Sequence, residues 1–200
     1  MVNINDLQDS YNRISKYLVT TPILQSENLN KEFNADIYLK NEVEQLTGSF
    51  KIRGALSALS KLKEDGIEGV VAFSSGNHAQ GVSKAAQIFD MKAIIVMPED
   101  APLNKIKKTK SNGAEVILYK RHIESREKIA EQISLERGFP LVKPFDNEYI
   151  IAGQGSFGLE ACQFFMGSNI NPDIVLSCTS GGGLVAGTSI AFKHYFPDVE

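Results

Sequence analysis

Cysteine is nearly absent from this 200-residue chain: Cys162 and Cys178 are the only two, each in an apolar stretch. That excludes a disulfide framework and fits a reducing cytosol. Histidine is almost as scarce, at three residues, and no Cys/His/Asp spacing supports a metal site. No apolar run is long enough to span a bilayer. The N-terminal MVNINDLQDSYNRISKYL carries charges throughout and lacks the apolar core of a signal peptide. Neither sign of charge dominates. The net charge of -3 gives no push towards nucleic acid or an anionic membrane. The basic stretch NKIKKTK (104–110), with Lys120 and Arg121, has no interleaved aromatics and reads as a solvated helix face. A G-x-S-x-G nucleophile elbow is missing, so serine-based hydrolysis has no support.

What is present is a globular composition. Apolar residues make up 42% and charged residues 22%, enough for a packed core in one large domain or two small ones. Ile4, Leu7, Tyr11, Ile14 and Leu18 recur at helical spacing, and Pro22 forces an extended geometry on Thr21. DIYLK reads as a short strand, and 49–63 as a helix. An alternation follows. GVVAF (69–73), KAIIVM (92–97) and AEVIL (114–118) are β-branched apolar runs, with PLVK (140–143) a weaker fourth. Helical patterns lie between them. Val82, Ala85, Ala86 and Phe89 share one face. Pro102 and Asn112-Gly113 bracket a second helix, and Ile123, Ala130 and Ile133 mark a third that Gly138 stops. A further helix spans about 148–166, DIVLSC (173–178) reads as a strand, and TSGGGLVAG opens a last helix. Continuous apolar strands alternating with helices predict an α/β fold, with parallel strands covered on both faces. After FPDVE a further strand is expected.

Ligands in such sheets bind beyond the carboxyl ends of the strands. Two loops fall there. SSGNHAQG (74–81) crowds Ser74, Ser75, Gly76, Asn77 and His78 into one strand-to-helix turn. Hydroxyls, an amide and free backbone N–H groups make it an anion-accepting cradle. The blander reading is an ordinary N-cap by Ser75 or Asn77, with His78 a satisfied structural histidine. SGGGL (180–184) places three glycines between a strand and a helix, where free N–H groups can meet a phosphate. It is not a P-loop, since no Gly-Lys-Ser/Thr follows. GQGSFG (153–158) matches a dinucleotide fingerprint to the letter. EYIIA before it is a poor strand, however, and Asp173 begins the next strand instead of ending it. Small residues that let a helix pack closely are the preferred explanation.

TGSFKIRGA (47–55) sets Lys51 between Phe50 and Arg53 at the opening of a buried helix. With SFKIRGA, SSGNHAQG, IAGQGS and SGGGL in this order, the chain resembles the pyridoxal-phosphate-dependent threonine/serine dehydratase and serine racemase family, of the tryptophan-synthase-β fold type. The resemblance covers essentially the whole chain, which would be the N-terminal part of a full-length member. It implies two open parallel α/β domains with helices on both faces: residues 1–65 and 148–200 in a large cofactor-binding domain, and 66–147 in a small mobile one. The C-terminal part of the fold would lie beyond Glu200.

The resemblance also implies roles. Lys51 would carry pyridoxal 5'-phosphate as a Schiff base, with Phe50 packed beside the ring. Asn77 would bond the ring hydroxyl. Ser180, Gly181, Gly182, Gly183 and Leu184 would bind the phosphate, and Ser74, Ser75, Gly76, Asn77 and His78 the substrate carboxylate. Many members have glycine where this chain has Ser180. Arg126 matches an arginine near the substrate carboxylate. Arg53 has no such assignment and is expected in a helix-surface ion pair. The implied activity is elimination of water from L-threonine- or L-serine-type substrates. Serine or 3-hydroxyaspartate racemisation, with Lys51 and Ser75 on opposite faces, is the alternative. A homodimer, a cytoplasmic location and a small amino-acid substrate complete the expectation, with no nucleic acid or membrane partner and no metal ligand among these residues; the divalent-cation site of many members would lie beyond Glu200. Two other classes remain in view: a nicotinamide-dependent oxidoreductase using GQGSFG, and a non-catalytic α/β ligand-binding module.

Overall fold

The β-branched runs of the middle third pair as their composition requires. In the computed structural model, which describes residues 1–200, β3 (Gly69–Phe73), β4 (Lys92–Pro98) and β5 (Glu115–Tyr119) form one parallel sheet in that order. Val70 pairs with Ala93, and Ile95 with Val116. Parallel neighbours need crossovers, and α4 (Asn77–Ile88) and α5 (Leu103–Ser111) supply them. Side chains alternate between the two faces. Val70, Ala72, Ile95 and Met97 pack towards α4 and α3 (Lys51–Glu64), while Val71, Ile94 and Val96 meet Ala130 and Ile133 of α6 (Arg126–Arg137). Gly138 caps α6 in the left-handed region, at φ 66°. Ile123 lies outside this helix and is exposed, contrary to the pattern read from the sequence.

The flanking segments build a second core. α1 (Ile4–Ile14), α7 (Glu148–Gly167) and α8 (Gly183–Tyr195) gather Leu7, Leu159, Phe165, Ala191 and Phe192. A small antiparallel pair, β1 (Ile23–Gln25) and β2 (Tyr38–Lys40), brackets α2 (Glu27–Phe33). The GQGSFG run lies inside α7, where it forms no nucleotide turn. Its glycines permit close helix packing. A Cβ on Gly155 would collide with the Leu7 side chain, and one on Gly187 of α8 would lie 2.5 Å from the Gly155 backbone. No helix is long and apolar enough to cross a membrane.

Two strand expectations change. PLVK contributes one parallel bridge, Leu141 to Val71, through bonds to the Pro140 carbonyl and the Val142 amide. DIVLSC forms no strand. Its backbone groups need a neighbouring chain, and only Glu200 comes alongside, bonding Val175 and Asp173. Ile174 and Leu176 are accordingly 62% and 92% exposed, and Cys178 is exposed where the sequence suggested apolar surroundings.

Arg53 is the largest correction. It is fully buried. Its guanidinium donates to both carboxylate oxygens of Glu42 (2.8 and 2.7 Å), to both of Glu160 (2.8 Å each), and to Ser156 Oγ at 3.1 Å. Lys40 closes the group, reaching Glu160 at 2.7 Å and both oxygen atoms of Thr21 at 2.8 Å. Burial opposes the charge on Arg53, but hydrogen bonds to Glu42 and Glu160 outweigh it and raise the pKa above the usual arginine value. An arginine that looked like a surface partner from its helix alone is the centre of a buried cluster.

The close α3–α7 packing around it is testable. A Cβ on Gly153 would lie 2.6 Å from the Arg53 carbonyl and 2.7 Å from the Gly54 Cα, and backbone atoms cannot swing aside. Gly153→Ala is therefore expected to destabilise the protein by about 1–3 kcal/mol in urea unfolding. Gly167→Ala, with open space around it, serves as the neutral control. Equal stability of the two variants would contradict the packing described.

Candidate active site

Lys51 is the first residue of α3, with Phe50 at the N-cap position. Its Nζ is half-buried, lies 5.2 Å from the Phe50 ring centroid and donates to the Pro144 carbonyl at 3.0 Å. It has no carboxylate within bonding distance. Burial therefore pulls its pKa below the usual lysine value, with no anion to restore it. This is a setting that favours the neutral amine more than solvent does.

α4 places the polar loop beside it. A Cβ on Gly81 would lie 3.1 Å from the Lys51 carbonyl, so the second turn of α4 rests on the start of α3. Between β3 and α4, the Ser74 amide bonds the Val96 carbonyl at 3.1 Å, and Ser74 Oγ accepts from the Gly76 amide at 3.2 Å. Gly76 is the N-cap residue, and no side chain caps α4. The ordinary capping role for Ser75 or Asn77 is thus not what the loop does. The backbone donors of the first turn stay open. Ser75 is half-buried and its hydroxyl has no partner in the chain, while Asn77 is exposed and accepts from Lys105 at 2.9 Å.

His78 departs from its expected place. Its side chain turns into the core, and Nε2 donates to the Val142 carbonyl at 3.1 Å. Only its backbone amide remains for a ligand. Burial pushes the imidazole pKa down to about 4, against the raising effect of the Val142 bond and with help from the Lys51 charge. The blander reading of this residue is the one the structure supports.

At the third loop, α8 begins at Gly183 behind an uncapped Gly182 whose φ of 90° suits glycine. Ser180 is exposed and Leu184 is buried. The flanking glycines have a packing reason beside the one the sequence suggested. A Cβ on Gly181 would collide with the Phe145 ring, and one on Gly183 would lie 3.1 Å from the Phe145 carbonyl. They accept Phe145, while the N–H groups of the α8 first turn have no side-chain cap.

One segment therefore joins all three motifs. Residues 142–145 offer the Val142 carbonyl to His78, the Pro144 carbonyl to Lys51 and the Phe145 ring to the glycine loop. Backbone acceptors leave no signature in a sequence, and this segment read only as a weak strand. Lys105 was missed for another reason. Lys107, Lys108 and Lys110 are exposed as a solvated face should be, whereas Lys105 turns to Asn77. Arg126 sits at the rim. It is exposed, paired with Glu127 at 2.7 Å, and its guanidinium lies 5.1 Å from the ring of Phe73, the residue before Ser74.

Comparison with known proteins supplies a family. The family profile described as pyridoxal-phosphate dependent enzyme matches residues 14–200. A serine racemase from Schizosaccharomyces pombe is 41% identical over 198 residues, covering 98% of this chain and 60% of that protein. An L-threo-3-hydroxyaspartate ammonia-lyase from Saccharomyces cerevisiae is 42% identical over 193 residues, covering 96% and 58%. Among solved structures, the serine racemase of Dictyostelium discoideum superposes with a TM-score of 0.91 at 38% identity, covering 100% of this chain and 64% of that one. A crystallised threonine deaminase superposes equally well, with a TM-score of 0.91 at 41% identity, covering 98% and 63%. The chain thus spans about three-fifths of the length of these relatives.

The state of His78 sets a pH dependence. Its folded pKa of about 4 lies below the ordinary 6.5, so the folded protein binds the proton less readily than the unfolded chain. The stabilising contribution is complete above about pH 6.5 and is lost as pH falls towards 4, reaching about 3 kcal/mol. Urea titrations of wild type and His78→Gln between pH 7 and pH 4 should show a steeper decline for wild type. Parallel declines would mean that the ring is not held neutral.

Proposed function

The chain belongs to the pyridoxal-phosphate-dependent enzyme family, and on that premise we propose that it acts as an ammonia-lyase on L-threonine- or L-serine-type hydroxy amino acids, giving a 2-oxo acid and ammonia. The observation that carries this reading is Lys51: a half-buried amine with a lowered pKa and no acidic partner, beside an open polar loop.

The residues present fit the family's cofactor, pyridoxal 5'-phosphate. The uncapped α8 start would hold a phosphate through Ser180, Gly181, Gly182, Gly183 and Leu184. Asn77 would meet the ring hydroxyl, and Phe50 would pack beside the ring. When bound, pyridoxal phosphate accepts the electron pair left as a proton departs from the α-carbon of an amino acid. Lys51 would be the base for that proton, because burial lowers the pKa of its amine and no anion holds it charged. Its ammonium form can then return a proton to the hydroxyl leaving from Cβ. The open first-turn amides of α4, with the Ser74 and Ser75 hydroxyls, would orient the substrate carboxylate and keep its α-hydrogen towards Lys51. Arg126, at the mouth of this loop, would add a positive charge for the carboxylate. The same reading takes residues 1–65 and 148–200 as parts of one cofactor-binding domain and 66–147 as a smaller mobile one, in a cytoplasmic homodimer.

A second reading rests on Ser75, whose half-buried hydroxyl has no partner in the chain. A hydroxyl opposite Lys51 can give a proton to the far face of the α-carbon, which makes the protein a serine or 3-hydroxyaspartate racemase. An S. pombe serine racemase and an S. cerevisiae hydroxyaspartate ammonia-lyase resemble the chain about equally.

The protein mixed with pyridoxal phosphate should develop a cofactor absorption band, and borohydride should fix the label on the peptide carrying Lys51. Lys51→Ala should lose the label and about 1,000-fold in turnover. A label on another lysine would overturn the assignment. Ser75→Ala divides the two readings: with L-serine, racemisation should fall far more than elimination, and equal losses would remove Ser75 from the far-face role.

A further inference from the structure

Asn77 has a partner that belongs to none of the motifs. Lys105, on α5, donates to Asn77 Oδ1 at 2.9 Å, and no carboxylate pairs with it. The contact is built into the fold. Ile106 and Thr109 are buried beside Lys105, and Thr109 Oγ1 bonds the Lys105 carbonyl at 2.9 Å. At the far end of α5, Asn112 donates to Ser83 Oγ of α4 at 2.9 Å. Two polar contacts thus fix α5 against α4, one at each end.

An ammonium group has donors only. It can meet only the oxygen of a carboxamide, so it removes the ambiguity of the Asn77 amide. With Oδ1 occupied, the side chain presents its Nδ2 donors to whatever binds at the loop. Such an amide suits an acceptor oxygen and suits an anionic one best, because the lysine charge is transmitted through it. We infer that Lys105 is a positioning residue: it orients the Asn77 amide as a donor towards the cofactor's ring hydroxyl and favours the ionised form of that oxygen. The inference rests on the reading of Asn77 as the ring-hydroxyl partner. The charged groups that approach the start of α4 are Lys105 from α5 and Lys51 from α3, while His78 is neutral and turned away.

Pyridoxal phosphate titrations followed by absorbance test this without relying on turnover. Lys105→Met should weaken cofactor binding about tenfold and raise the pH midpoint of the bound cofactor's band by about one unit. Lys105→Arg should restore most of both. Asn77→Ala should show the same changes, and adding Lys105→Met to it should change little more. Wild-type behaviour of Lys105→Met, or additive effects in the double variant, would overturn the inference while leaving the assignment of Asn77 intact. A normal band in Asn77→Ala would overturn the Asn77 assignment and the inference with it. Failure of wild type to bind the cofactor would overturn the functional reading as a whole. Circular dichroism of Lys105→Arg and Lys105→Met separates a local change from loss of the α5 packing.

Discussion

Arg53 sits two residues after Lys51 and is held by five hydrogen bonds to three side chains. Glu42 reaches it from the turn after β2, and Glu160 and Ser156 reach it from α7. Lys40 and Thr21 satisfy the carboxylates from the other side. The group contains two cations and two anions, so its formal charges cancel. Burying four charges is costly, and such a cluster is weak evidence of net stability. It is strong evidence of geometry. Removing any one charged member leaves the cluster with an unbalanced buried charge, so it is fully satisfied in one arrangement of β2, α3 and α7. The first turn of α3 cannot rotate or slide without breaking it, and that turn carries Lys51.

The remainder of the site is built outward from this fixed point. Gly81 lets α4 rest on the Lys51 carbonyl, and the segment 142–145 reaches across to the start of α8. The reactive groups are thus oriented by neighbours that are themselves held by packing or by backbone bonds. The amine itself keeps only a carbonyl for company. A carboxylate in the place of the Pro144 carbonyl would raise its pKa and hold it charged, and a carbonyl does neither as strongly.

Much of the fold was legible because it depends on local rules. β3, β4 and β5 stand where β-branched apolar runs stood, and Gly138 ends α6 as a left-handed cap should. GQGSFG could be set aside because its flanks lacked the strand and the acid. The failures share a cause. DIVLSC has the composition of a strand, but a strand exists only where another comes beside it. Arg53 shows its charge in the sequence, while its partners lie 11 and 107 positions away. Within the site, motif residues could be named, and their orientation could not. His78 sits among the residues of the polar loop but turns to Val142. Lys105 sits in a solvated stretch but turns to Asn77. Which way a side chain faces is decided by elements the local pattern does not contain.

Phe145 and the glycine loop extend this to how the chain can drift over generations. The ring fills the space in which Gly181 would carry a Cβ. Any larger residue at 181 must be preceded by a smaller one at 145, and the intermediate with neither would have a gap beneath its loop. The two positions, far apart in the chain, are therefore sterically coupled. A comparison of many descendants should find them changing together or not at all.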